Sequence, residues 1–245
     1  MPKVCIIIPF FNEQNRIQTE GFLSFIQNQK DYSLMLVDDG SSDQTLEVLT
    51  SMKEHFPAQI DVLSLAKNVG KAEAVRQGVL KAHSIGYFDF FGFMDGDLAT
   101  PLEEATRFID YFSNHKIQFV SGSRVKLFGW DIHRSLKRHY FGRVFATYVS
   151  YLFGLEIYDT QCGAKFFTNS MAQDLFKEPF VSKWFFDIEL FIRLRNRMGK
   201  HFNESLIEIP LLHWHEIGES KLGLNDFLKT PLELRRIKRH YKNQL

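Results

Sequence analysis

Over the first half of the chain, apolar residues follow two alternating patterns. Short runs rich in β-branched and aromatic residues occupy 4–9, 34–38, 60–65, 88–94 and 119–121. Between them, over 17–29, 45–56, 71–83 and 101–114, apolar residues recur every three or four positions. The first pattern predicts strands and the second predicts helices. The runs are nearly continuous in hydrophobicity, as expected of strands covered on both faces, so the alternation predicts a doubly wound α/β sheet, mostly parallel and flanked by helices, with right-handed crossovers. Ser42 or Asp43 is placed to cap the second helix. Thr100-Pro101-Leu102-Glu103 combines an N-cap, a first-turn proline and a capping-box glutamate for the fourth.

Beyond Arg124 the pattern changes. Residues 125–157 contain Lys126, Arg134, Lys137, Arg138 and Arg143, and run into a segment dense in Tyr and Phe between Tyr140 and Phe153. A basic start followed by an aromatic helix suits anionic groups or lipid headgroups, and it equally suits a core helix with a solvated beginning. A strand at 164–168, a helix near 187–198 and a strand at 207–210 complete the main unit. From 229 to 245 there are six Lys or Arg against one Glu, with Leu232, Leu234, Ile237 and Tyr241 at roughly helical spacing. The expected organisation is one α/β domain over 1–228 and a basic amphipathic helix over 229–245.

Composition narrows the class. The chain has 245 residues, of which 44% are hydrophobic, enough for one large core. Its 30 basic and 29 acidic side chains leave a formal charge of +1, which does not favour a nucleic-acid partner. Cys5 and Cys162 form no disulfide framework, and a reducing cytoplasm fits them. The apolar run at the N-terminus is stopped by Pro9, too early for a signal peptide. No stretch approaches the roughly 18 to 20 apolar residues of a membrane-spanning helix.

The candidate chemistry lies where predicted strands end. Asp38 and Asp39 close the second strand, and Asp95-Gly96-Asp97 follows the fourth. In an open parallel sheet both positions fall on the carboxyl edge, where ligands bind. Asp95 and Asp97 have the hard oxygen ligands that suit Mg²⁺ or Mn²⁺ and leave coordination positions for phosphate; an Asp-Gly-Asp is also an ordinary turn. Asp38 or Asp39 could accept bonds from ribose hydroxyls or a base. Lys71, opening a helix, is a candidate phosphate contact. No Gly-x-Gly-x-x-Gly follows the first strand, and Val69-Gly70-Lys71-Ala72 lacks the rest of a P-loop, which disfavours dehydrogenase and ATPase functions. His213 and His215 flank Trp214 at alternate positions and could share a face for a metal, or simply pack or pair with Glu216.

Seven segments carry a family resemblance in order: Ile8-Pro9-Phe10-Phe11-Asn12-Glu13, Val37 to Thr45, Asn68-Val69-Gly70-Lys71, Asp95-Gly96-Asp97, Gly122-Ser123-Arg124, Asp159 to Lys165, and Trp184 to Glu189. Together they resemble the inverting family 2 glycosyltransferases of GT-A fold, specifically the polyprenyl-phosphate sugar synthases. Asp97-Leu98-Ala99-Thr100-Pro101, Asp159 to Gly163 and Trp214 to Lys221 resemble the dolichyl-phosphate glucosyltransferase branch. Mannosyl-phosphate synthases tend to carry Gln where this chain has Ala99, which favours UDP-glucose.

The resemblance implies transfer of a sugar from a UDP-sugar to a polyprenyl (dolichyl or undecaprenyl) phosphate. Other acceptors of the same fold are glycan or other hydroxyls, and a non-catalytic nucleotide-sugar binder is the alternative outside enzymes. It implies Pro9, Glu13, Asp38, Asp39, Lys71, Asp95, Gln161 and Lys165 around the donor, and Mg²⁺ or Mn²⁺ on Asp95 and Asp97. Arg124, Arg134, Arg138, Trp184, Glu189 and Lys221 are the implied acceptor side, and Asp97, Asp187 and Arg124 the catalytic set. A phosphate acceptor is already ionised and needs positioning, whereas a hydroxyl needs a base, for which Asp187 is the candidate. The sequence carries neither the N-terminal anchor of eukaryotic glucosyl enzymes nor the C-terminal membrane helices of many bacterial relatives. Contact with the cytosolic face of a membrane is therefore expected to be peripheral, with a membrane-protein partner as one means of recruitment.

Overall fold

The computed structural model describes residues 2–126, 131–133, 136–215 and 224–242, with side chains at all of these except 133, 136–139, 141 and 224–229. The strands are β1 (Val4–Phe10), β2 (Tyr32–Asp38), β3 (Ile60–Ser64), β4 (Phe90–Phe93), β5 (Phe119–Ser123), β6 (Asp131–His133), β7 (Lys165–Thr168), β8 (Leu206–Pro210) and β9 (His213–His215). The helices are α1 (Thr19–Asn28), α2 (Thr45–His55), α3 (Lys71–Ile85), α4 (Glu104–Asp110), α5 (Leu136–Phe153), α6 (Asn169–Phe176), α7 (Phe186–Met198), α8 (Phe202–Ser205) and α9 (Leu224–His240).

Seven strands form one sheet in the order β3-β2-β1-β4-β7-β5-β8. All its pairings are parallel except the two made by β7, which runs antiparallel to β4 and β5. Alternate residues of β1 enter opposite cores, as the pleat requires. Val4, Ile6 and Ile8 pack with Phe22, Phe25, Leu49 and Phe108 from α1, α2 and α4. Cys5 and Ile7 pack with Val75, Val79, Leu175 and Phe191 from α3, α6 and α7. The sheet is thus covered on both faces, and its polar residues collect at its ends.

Several local expectations are corrected. The 101–114 helix starts only at Glu104 and tightens into a 3₁₀ turn at Tyr111–Ser113. The Thr100 to Glu103 segment makes turn bonds instead, with the Glu104 and Ala105 amides donating to Pro101 and Leu102, and no side chain caps the helix. At α2 the N-cap position is Gln44, without a side-chain cap; Asp43, one residue earlier, accepts from the Thr45 amide at 3.0 Å, and the Ser42 amide and hydroxyl face Asn12. The C-terminal helix begins at Leu224, so the expected boundary at 228/229 falls inside a continuous element, and Leu234, Ile237 and Tyr241 are buried in the main core. The β6–β9 ribbon and α6 had no counterpart in the hydrophobic pattern.

Candidate active site

The ends of β1, β2 and β4 lie side by side: Phe10 pairs with Asp38, and Ile7 pairs with Phe93. The loops that follow therefore meet at one sheet edge. The Asn12 amide donates to Ser41 Oγ and the Glu13 amide to Thr45 Oγ1 at 2.8 Å, fastening the loop after β1 to the loop after β2. Pro9 is half-buried within β1, and Glu13 pairs with Arg16 at 3.4 Å.

Asp38 and Asp39 diverge in role. The Asp38 carboxylate accepts from the Ser41 amide and the Ser64 hydroxyl, closing its own turn. Asp39 reaches across to the start of α3, accepting from the Val69 and Gly70 amides at 2.8 and 2.9 Å and from Asn68 Nδ2 at 3.1 Å. Burial raises its carboxyl above the ordinary range, against those amide bonds. Gly70 caps α3 at φ 93, a region open to glycine, and this turn aims Lys71 back across the sheet edge.

Lys71 Nζ meets Asp95 Oδ1 at 2.5 Å. Burial would depress this ammonium, but Asp95, Asp187 and Asp97 together hold its pKa above the usual value. Asp97 Oδ1 accepts from the Ala99 amide. Burial first, and the charge of Asp95 second, raise the Asp97 carboxyl. Leu98, directly after it, sits at φ 57, a conformation costly for a branched side chain. Asp95 lies flat against Gly163, where a Cβ would fall 1.9 Å from its Oδ2. Lys71, Asp95, Asp97 and Gly163 thus form one wall built from three separate stretches of chain.

Behind this wall is a second ion pair. Lys165 is fully buried, its Nζ 2.7 Å from Asp187 Oδ1 and donating to the Thr160 and Cys162 carbonyls. The expected position of Lys165 beside donor phosphates is therefore corrected: it braces the 160–163 loop and Asp187 from beneath. Gln161 lies on that loop, and its buried Nε2 has no hydrogen-bond partner among the described residues.

The family model for glycosyl transferase family 2 matches residues 5–176, the stretch that holds both acidic strand ends, Lys71 and Gly163. The chain belongs to glycosyl transferase family 2. It is 30% identical, over 96% of its length and 71% of the relative's, to a dolichyl-phosphate beta-glucosyltransferase of Trichomonas vaginalis. Relatives of the same name from Dictyostelium discoideum and Saccharomyces cerevisiae are each 32% identical, over 89% and 94% of this chain and 68% and 72% of theirs. Among solved structures, glucosyl-3-phosphoglycerate synthase of Mycobacterium tuberculosis with phosphoglyceric acid superposes at a TM-score of 0.69, with 15% identity, over 99% of this chain and 80% of the other. The same synthase with Mn²⁺, UDP-glucose and phosphoglyceric acid gives 0.67, with 15% identity, over 99% and 79%. These neighbours identify the GT-A fold for this family 2 transferase.

On the other side of the wall stands Arg124. Its Nε and Nη2 form a fork on Asp159 at 2.7 and 2.8 Å, and its guanidinium lies 5.6 Å from the centre of the Trp214 ring. Burial lowers its pKa, and the Asp159 pairing more than restores it. Asp159 and Trp214 lie within motif segments, but their pairing with Arg124 is not legible from spacing; Lys183 and Arg16, whose charges bear on the site, carry no local signal. Trp184 is 41% exposed just before α7. Glu189, expected on the acceptor side, is fully buried and accepts from the Val181 and Ser182 amides and the Tyr241 hydroxyl. Two positions after Asp187 on a helix, it points away from the cleft and ties down the loop before Trp184. Arg134, Lys221, Glu216 and the side chain of Arg138 lie outside the described residues. His213 and His215 share a face of β9, with Asp131 Oδ2 2.7 Å from His215 Nε2 and 3.5 Å from His213 Nδ1. No group of three metal-ligating side chains occurs among the described residues.

Proposed function

We propose that this transferase moves glucose, with inversion, from UDP-glucose to a polyprenyl phosphate, using Mg²⁺ or Mn²⁺ held by Asp95 and Asp97. The observation that carries the proposal is the wall of Lys71, Asp95, Asp97 and Gly163 at the carboxyl edge of β1, β2 and β4. The relatives named for glucosyl transfer to dolichyl phosphate support the same sugar and acceptor, and the synthase crystallised with Mn²⁺ and UDP-glucose supports the donor and the metal.

The residues suit a divalent cation. Burial first, and the Asp95 carboxylate second, raise the cost of ionising Asp97, and a cation held by the two carboxylates would offset that cost. Asp95 and Asp97 would hold such a cation, whose preference for hard oxygen ligands also suits phosphate and water. When bound, the cation supplies charge neutralisation for the departing UDP. Lys71 adds a second positive group at the same oxygens, and the orphaned Gln161 amide offers a donor to the sugar or phosphate. Asp39 and Glu13 stand at the nucleoside end, Asp39 fixing the Asn68 to Gly70 turn that delivers Lys71.

The acceptor follows from Asp187. A hydroxyl acceptor needs a free carboxylate to take its proton, but Asp187 is buried against the Lys165 ammonium at 2.7 Å. A phosphate monoester arrives ionised and needs only alignment opposite the leaving UDP, with compensation from Arg124 and from neighbouring basic residues. Incubation with radiolabelled UDP-glucose, Mn²⁺ and a polyprenyl phosphate should move label into the lipid phase, and EDTA should abolish the transfer. Label appearing instead on a glycan, or in neither phase with any nucleotide sugar, overturns the assignment.

A further inference from the structure

We infer that Lys183, in the loop before α7, is the residue that reads the base of the donor, its ammonium donating to a uracil carbonyl. The inference rests on the UDP donor proposed above. Position comes first. The Lys183 carbonyl accepts from the Ala72 amide at 3.3 Å, which pins this point of the loop directly to the first turn of α3. Its stem lies along Gly70, where a Cβ would meet the Cδ, Cβ and Cγ of Lys183 at 3.2, 3.3 and 3.4 Å. Gly70 in turn donates its amide to Asp39 at 2.9 Å, so the lysine rests on the same turn that Asp39 holds.

Electrostatics separates the lysines of the site by the end of the donor they serve. Against the burial that raises the Asp39 carboxyl, the Lys183 charge favours its ionised form. At Asp97 the opposing cations are instead Lys71 and Arg16. Lys71 therefore belongs to the diphosphate end and Lys183 to the nucleoside end. Lys71 and Lys165 already face carboxylates at 2.5 and 2.7 Å. The Lys183 ammonium has no hydrogen-bond or salt-bridge partner among the described residues, although its stem and carbonyl are anchored. Val69, Ala72 and Lys183 help to line a cavity of about 470 Å³, which leaves room for a planar base beside that ammonium.

The chemistry of the ammonium selects the base. It has three donors and no acceptor. Uracil offers a carbonyl oxygen at the position where cytosine carries an amino group, so the lysine meets an acceptor in one base and a donor in the other. A site built to hydrogen-bond one group rejects the analogue that leaves its own polar group unpaired. A lysine that met only ribose or phosphate would treat UDP and CDP alike, since the two share both.

The test is calorimetry of the full chain with UDP and with CDP, each in the presence of Mn²⁺, for the wild type, Lys183→Met and Lys183→Arg. Methionine keeps an apolar stem over Gly70 and removes the ammonium; arginine restores donors. The wild type should favour UDP by about 10- to 10²-fold. Lys183→Met should lose most of that preference through weaker UDP binding, with CDP binding and melting temperature at the wild-type values, and Lys183→Arg should recover most of it. In turnover the KM for UDP-glucose should rise in Lys183→Met by the factor lost in UDP affinity, while kcat and the KM for acceptor change less than about twofold. A Lys183→Met variant that keeps the wild-type ratio of UDP to CDP affinity, or that loses both nucleotides equally, overturns the role of Lys183 and leaves the UDP donor standing. A wild type that does not prefer UDP removes the donor reading itself, and the inference falls with it.

Discussion

At Asp97, burial and the neighbouring Asp95 both disfavour the ionised carboxylate. Its folded pKa therefore lies above the unfolded value, so the stability it contributes is present at low pH and is lost as pH rises through the folded pKa. At neutral pH the ionised pair strains the metal-free fold, and a divalent cation relieves the strain. Mn²⁺ at ten times its Kd should raise the melting temperature of the wild type by on the order of 3 °C. The increment should shrink as pH falls toward the carboxylate range, and Asp97→Asn should show almost none of it while losing about 10² to 10³ in kcat. An equal increment in the variant would remove Asp97 from the cation site. Gly163 makes a sharper test of geometry, because its backbone is the surface on which Asp95 rests. A methyl group there would sit 1.9 Å from Asp95 Oδ2, so Gly163→Ala must push the carboxylate out of line. Activity should fall about 10²-fold, with Mn²⁺-dependent UDP affinity by calorimetry falling alongside; unchanged affinity would show that Asp95 is not where the cation binds.

The strand β7 and the first turn of α7 meet in the Lys165–Asp187 pair, and their joint burial makes that pair sensitive to removal of one partner. Lys165→Met would leave Asp187 nearly excluded from water with no counter-charge, at a cost of roughly 3 to 5 kcal/mol. For a chain of this length that is a fall in melting temperature on the order of 10 °C. Asp187→Asn added to Lys165→Met should restore much of the loss without restoring activity; a single variant as stable as the wild type would mean that water reaches the pair. The elements that carry the acidic residues were legible in the sequence because β2 and β4 are covered on both sides, so each shows as an apolar run that ends abruptly in Asp. The direction of β7 was not legible, since an apolar strand looks the same whichever way it runs. The ribbon of β6 and β9 was invisible because three residues are too few to show a period, and the Arg124–Asp159 fork because 35 residues separate its members. Lys165 was misplaced for a related reason: a lysine beside a motif suggests phosphate, and only the packing of α7 over it reveals that its charge is already used.

Across the whole molecule, the active-site edge is held from behind by the C-terminal helix. Tyr241 donates its hydroxyl to Glu189 at 3.0 Å and accepts from Arg193 Nε at 2.9 Å. Glu189 in turn grips the Val181 and Ser182 amides just before Trp184. The basic residues of the tail suggested an appendage, yet Leu234, Ile237 and Tyr241 are almost without exposure. Three such side chains contribute roughly 5 to 9 kcal/mol at 1.5 to 3 kcal/mol each, a sum within the total stability of about 5 to 15 kcal/mol expected of a whole domain. Deleting residues 231–245 should therefore abolish the cooperative thermal transition followed by circular dichroism. Tyr241→Phe keeps the ring and removes only the hydroxyl, leaving Glu189 one donor short. That variant should fold, melt several degrees lower for a loss of about 1.5 to 3 kcal/mol, and raise the KM for acceptor more than that for UDP-glucose, because the loop released lies beside Trp184. A truncated chain that melts like the full one would restore the tail to the status of an independent appendage and cut this link between the C-terminus and the cleft.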